Sequence, residues 1–112
     1  MQFLALYTAD SMSPPDAEHM KKMGALVESQ KRAGKLIATG GLKQRAKSGL
    51  RIRQKNGAAT VEDGGAAWAS ATGWALLRAE TRDELISDVK EFLDCAGDGV
   101  SELIEISSAT PE

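Results

Sequence analysis

Apolar and polar positions change period several times along this chain, and each change marks an element. Gln2 to Thr8 (QFLALYT) carries aromatic and aliphatic residues on both faces, which predicts a strand. Ser13-Pro14-Pro15-Asp16 puts a serine at an N-cap, prolines in the first turn and an acid behind them, so a helix starts there. It runs to about Ala33, with Gly34 as the C′ residue. Lys35 to Thr39 is a second strand, ended by Gly40-Gly41, and Lys43 to Gly49 is a polar loop. Leu50 to Lys55 and Ala58 to Asp63 flank Asn56-Gly57, a strong signal for a hairpin with a two-residue type I′ turn. A small-residue loop, Gly64 to Ala71, leads to a strand over Thr72 to Ala79. Thr81-x-x-Glu84 is a capping box that opens a helix to about Ala96. Gly97 and Gly99 break it, and Val100 to Ile106 is the last strand.

With the hairpin taken as an insertion, the order is β-α-β-β-α-β, the ferredoxin-like split βαβ of the α+β class. Both helices then cover one face of an antiparallel sheet. Leu4 and Leu6 point to one side of the first strand and Phe3, Ala5 and Tyr7 to the other; Trp74 and Leu76 alternate with Ala75 and Leu77 in the fifth. Both faces are too apolar for one of them to meet water. A homodimer packed sheet against sheet, a dimeric α+β barrel, is the expected solution. A monomer with a concave apolar pocket on that face is the alternative.

Counting outward from Asn56-Gly57 sets the hairpin register: Arg53 opposes Thr60, Ile52 opposes Val61, Arg51 opposes Glu62 and Leu50 opposes Asp63. Leu50, Ile52, Val61 and Asp63 share one face, while Arg51 and Glu62 form a cross-strand ion pair on the other. Asp63 therefore ends its strand on the apolar side, where an ionised carboxylate needs partners. The plain explanation is turn chemistry, with the carboxylate accepting the N–H groups of Gly64 and Gly65.

His19, the sole histidine, falls in the apolar stripe of the first helix with Met20, Met23, Leu26, Val27 and Gln30, an arc of about 120°. As a candidate general acid or base it would work with Asp63 as its partner or co-actor. The plainer alternative is a half-buried histidine bonded to a backbone carbonyl. Gln30 on the same stripe, Gly64 beside Asp63, and Trp68 in the following loop are the candidate ligand contacts.

Composition narrows the remaining classes. The chain has 112 residues and expects a single domain over 1–112. A net charge of −2 without a basic block argues against nucleic acid as a partner. No apolar run approaches the ~20 residues of a membrane span. Cys95 is the one cysteine, so no internal disulfide forms, and a cytoplasmic setting is expected. With one His and one Cys there is no His/Cys metal constellation, so neither metal nor other cofactor is expected.

Several of these segments together resemble the YCII-related family in its DGPF-type branch. The matching residues are the opening Met1-Gln2-Phe3-Leu4-Ala5-Leu6, Ser13-Pro14, Gly40-Gly41-Leu42, the inserted hairpin, Val61-Glu62-Asp63-Gly64 and Gly73-Trp74-Ala75-Leu76-Leu77. The resemblance covers nearly the whole chain. It implies a ferredoxin-like dimeric α+β barrel, with a His and an Asp as enzymatic residues in part of the family. Asp63 matches the Asp of the DGPF motif, whose Pro and Phe are replaced here by Gly65 and Ala66. His19 stands about one helical turn before the YCII-type histidine.

Two functions follow as expectations. One is a cofactor-independent acid/base enzyme acting on a small organic molecule in a cleft beside the barrel. The other is a non-catalytic small-molecule sensor or assembly domain using the same sheet face.

Overall fold

The computed structural model describes residues 1–10, 16–43, 49–64 and 70–107. The elements are β1 (Gln2–Ala9), α1 (Ala17–Arg32), β2 (Leu36–Gly41), β3 (Leu50–Lys55), β4 (Ala58–Asp63), β5 (Gly73–Arg78), α2 (Arg82–Ala96) and β6 (Gly99–Glu105). Four strands form an antiparallel sheet in the order β2-β5-β1-β6, and β3-β4 form a separate two-stranded sheet. With the hairpin set aside, this is the strand order of the split βαβ, and the fold is α+β.

Local chemistry explains the boundaries. Asp16 caps α1 in an extended conformation, its carboxylate accepting the His19 N–H. This corrects the expected start: the cap is Asp16, and Ser13, Pro14 and Pro15 lie outside the described residues. The other end of α1 is a Schellman motif. Gly34 takes φ +75°, its N–H donates to the Lys31 carbonyl, and the Lys35 N–H donates to that of Gln30. Thr81 caps α2 through its hydroxyl, which accepts the Glu84 N–H at 3.1 Å. The Glu84 carboxylate lies 4.0 Å from the Lys35 Nζ. Gly40 and Gly41 belong to β2 rather than ending it.

Register decides which faces meet. Phe3 opposes Leu77 and Glu105, and Ala5 opposes Ala75 and Leu103, so these residues share the helix-covered side. The core is thin: Phe3, Ala79 and Leu85 form its buried centre, with Leu77, Val89 and Leu103 packed around them. Leu4 opposes Leu76 and Ile104, and Leu6 opposes Trp74 and Glu102, on the side away from the helices. The open face is thus built on Leu4, Leu6, Trp74, Leu76 and Ile104, while Phe3, Ala5 and Tyr7 are turned inward.

The hairpin has the expected register throughout, from Lys55 against Ala58 to Leu50 against Asp63. Asn56 and Gly57 both have positive φ, 53° and 79°, as a type I′ turn requires. The Arg51 guanidinium reaches the Glu62 carboxylate at 2.6 Å on the charged face. That hydrogen bond and charge hold the Glu62 carboxyl below the ordinary carboxylate value.

Candidate functional site

Helix α1 stands off the sheet; none of its residues is buried. Short side chains explain the gap. Ala5, Ala9, Gly73 and Ala75 supply the floor, and Met23 and Val27 above them do not fill it. The result is a cavity of about 970 Å³ between α1, α2 and the helix-covered side of the sheet. It lies under the helices, not on the open sheet face. Its size is that of a site for a small organic molecule.

The stripe His19, Met20, Met23, Leu26, Val27 and Gln30 forms its roof. His19 sits in the first turn of α1. Its backbone N–H is held by the Asp16 carboxylate at 2.7 Å, which fixes the turn that carries the ring. The imidazole and the Gln30 amide have no hydrogen-bond partner among the described residues, so both are free to meet a ligand. They stand eleven positions apart on the helix, about 16 Å along its axis, so they serve opposite ends of the cavity.

The His19 end is aromatic. Tyr7 and Phe92 meet edge to face, with ring centroids 5.2 Å apart at 90°, a favoured geometry for aromatic pairs. The Tyr7 hydroxyl donates toward the Gly97 and Asp98 carbonyls at 3.2 and 3.3 Å. Burial, reinforced by the Asp10 and Asp98 charges, raises the Tyr7 phenol above its ordinary value, so it keeps its proton. The Thr72 hydroxyl ties this end together, accepting from the Ala9 N–H and donating to the Tyr7 carbonyl.

The Gln30 end is ionic. Lys35 Nζ bonds the Asp88 carboxylate at 3.0 Å. That bond and the Asp88 charge raise the Lys35 ammonium above its ordinary value. The pair is 53 residues apart in sequence, and no spacing rule announces it. Tyr7 could have been found from the period-2 row Phe3-Ala5-Tyr7, whose last member carries a hydroxyl.

Asp63 and Gly64 lie elsewhere. Asp63 is exposed at the base of the hairpin, and neither residue lines the cavity. Gly64 takes φ +89° and donates its N–H to the Gly49 carbonyl, closing the hairpin base. The expected bond from that N–H to the Asp63 carboxylate is therefore replaced. Trp68 lies outside the described residues. Cys95 is a free, half-buried thiol. Among the described residues, no group of three or more His, Cys, Asp or Glu is placed to hold a metal ion, and no helix is long and apolar enough to cross a membrane.

No protein-family model matches the sequence, and no curated protein matches it. Among solved structures, the chain is similar to the 5-chloro-2-hydroxyhydroquinone dehydrochlorinase of Burkholderia phenoliruptrix, solved in complex with 2,5-dihydroxybenzoquinone. The TM-score is 0.47 and the identity 18%, with 96% of each chain covered.

Proposed function

We propose that this protein binds a small, mostly apolar organic molecule in the cavity beneath α1 and that His19 moves a proton on it. One observation carries the reading: a histidine ring without a partner among the described residues lines a wall that is otherwise largely apolar. Proton transfer by a positioned imidazole is within the reach of the side chain alone. Gln30 supplies an amide at the far end. Asp63 enters this reading only as a residue brought by a second subunit, since within its own chain it stands on the hairpin, outside the cavity.

A metabolite library screened by thermal stability tests the binding, because a ligand that prefers the folded state raises the melting temperature by mass action. The substitution Met23→Trp narrows the cavity beneath α1 and should reduce that rise. Turnover of a ligand so found, persisting in His19→Ala, would defeat the acid/base role. The position of Asp63 favours a second reading, a non-catalytic sensor, because it leaves His19 without the motif's carboxylate in the same subunit. A ligand that stabilises the protein and is never turned over supports that reading.

The partner in this proposal is a second copy of the chain. Leu4, Leu6, Trp74 and Leu76 on the open face form an apolar surface of the kind soluble monomers seldom leave bare. A two-fold contact covers it on both copies at once. Sedimentation of a clean monomer near 12 kDa at micromolar concentration would overturn the homodimer.

A further inference from the structure

Gly24 stands in the middle of α1 without a cause inside its own subunit. Its φ is not positive, so no left-handed conformation calls for a glycine. A Cβ built there meets no heavy atom within 4 Å among the described residues, so no close packing calls for one either. Glycine inside a helix is destabilising relative to alanine. What sets Gly24 apart from the solvent-facing residues of α1 is that it also lines the cavity.

Exposure along the roof shows where that cavity opens. His19, Met23, Leu26, Val27 and Gln30 are half-buried, whereas Met20 and Gly24 are exposed, Met20 by 61%. These two stand four positions apart, on one flank of the helix. A residue that borders both cavity and solvent stands at a mouth. Thr39 has the same double border on the sheet. It belongs to edge strand β2, which α1 contacts, and its register opposite Ala75 turns it toward the helices. Its hydroxyl donates to the Trp74 carbonyl at 2.7 Å, which fixes that rim. The other exposed lining residues, Asp16, Arg78, Gly97 and Asp98, stand at the two ends of the cavity. Among the described residues, Met20, Gly24 and Thr39 alone open its long side.

We propose that the gap between the Met20–Gly24 flank of α1 and Thr39 of β2 is the passage by which a ligand enters, and that Gly24 keeps it open. Met20 has an unbranched, flexible side chain that can swing aside. Gly24 has no side chain to move. The open sheet face lies on the other side of the sheet, so a dimer formed through it leaves this passage clear. The inference rests on the ligand-binding reading of the cavity and adds to it the route of entry and the residue that sets its width.

Stopped-flow fluorescence with N-phenylnaphthylamine, a neutral probe that brightens in apolar surroundings, tests the route. A narrowed passage raises the barrier in both directions and leaves the equilibrium alone. Gly24→Leu should therefore slow association and dissociation alike, each about 10-fold, with Kd changed less than about 3-fold. Gly24→Ala gains helix propensity with little bulk, so its melting temperature should rise by about 4 °C while both rates stay within about 3-fold of wild type. Met20→Ala widens the passage and should speed both rates. Unchanged rates in Gly24→Leu would overturn the passage. Equal slowing in Gly24→Ala and Gly24→Leu would overturn it too, because helix stiffness and not width would then govern access. In either case a probe affinity weakened by Met23→Trp leaves the cavity reading standing. A wild type that binds the probe no better than Met23→Trp does would overturn both.

Discussion

Gly40 makes room for the indole of Trp74. The two are paired across β2 and β5, and a Cβ at Gly40 would stand 2.7 Å from the indole Nε1 and 3.2 Å from Cε2. The indole therefore lies over a glycine on the open face, flattening the surface that a second subunit is proposed to meet. Gly40→Ala should push the ring off the sheet and destabilise the fold by about 1 kcal/mol. Trp74 fluorescence during urea unfolding, in a Trp68→Phe background, reads both effects. An unshifted emission spectrum would argue against the close packing.

Gly99 presents the harder case. A Cβ there would lie 2.5 Å from the Thr8 carbonyl oxygen and 2.7 Å from Cε1 of Tyr7. The carbonyl belongs to the β1-β6 ladder and cannot turn away as a side chain can. Gly99→Ala should therefore cost about 3 kcal/mol, well above Gly40→Ala. It should also loosen the Tyr7–Phe92 contact. Comparing the two variants by chemical denaturation checks the order.

The two helix caps should respond alike in stability and differently in binding. Thr81→Ala and Asp16→Ala each remove a side-chain acceptor from an N-terminal turn, a loss of about 1 kcal/mol. Only Asp16→Ala also frees the turn bearing His19, so it alone should weaken a ligand held beneath α1. Isothermal calorimetry with a ligand found by thermal screening separates them, and Asp16→Asn should restore both properties.

Alkaline pH should expose the Lys35–Asp88 pair. The folded-state value of Lys35 is raised above the ordinary lysine value of 10.5, so its stabilising contribution is complete below that pH. It is lost as pH rises through the folded value. Tyr7 is raised as well and acts in the same direction. Melting temperature should fall above about pH 10, and Asp88→Asn in a Tyr7→Phe background should flatten the fall. A slope unchanged in that double variant would remove the pair from the account.

Some of this molecule is legible in its sequence for definite reasons. Asn56-Gly57 fixes a turn of known length, so every hairpin pair follows by counting, including Arg51–Glu62. Thr81 with Glu84 three residues later makes a capping box just ahead of the apolar stripe that begins at Leu85. The start of α1 is harder to read, because Ser13 and Asp16 both suit a cap and only the fold selects Asp16. β1 is apolar on both faces, so alternation cannot say that Phe3, Ala5 and Tyr7 turn toward the helices. The cavity is less legible still. The stripe from His19 to Gln30 is visible, but the row of short residues facing it, Ala5 and Ala75, is assembled from strands far apart in sequence. Asp63 marks the same limit from the other side: its place on the apolar side of the hairpin is countable, but that hairpin's distance from the cavity is not.

The Asn56-Gly57 turn also bears on how the chain reaches its final state. A two-residue hairpin closes in about 1–10 μs, long before distant strands assemble. The hairpin thus acquires its bare aliphatic face early, at a stage when unpaired strand edges are templates for wrong association. Arg51, Arg53 and Lys55, alternating with Leu50, Ile52 and Gln54 along β3, place a like charge at every second position of that edge. Two chains that tried to stack this strand in register would bring those charges together. The same alternation that makes the ribbon amphipathic protects a newly made chain from aggregation.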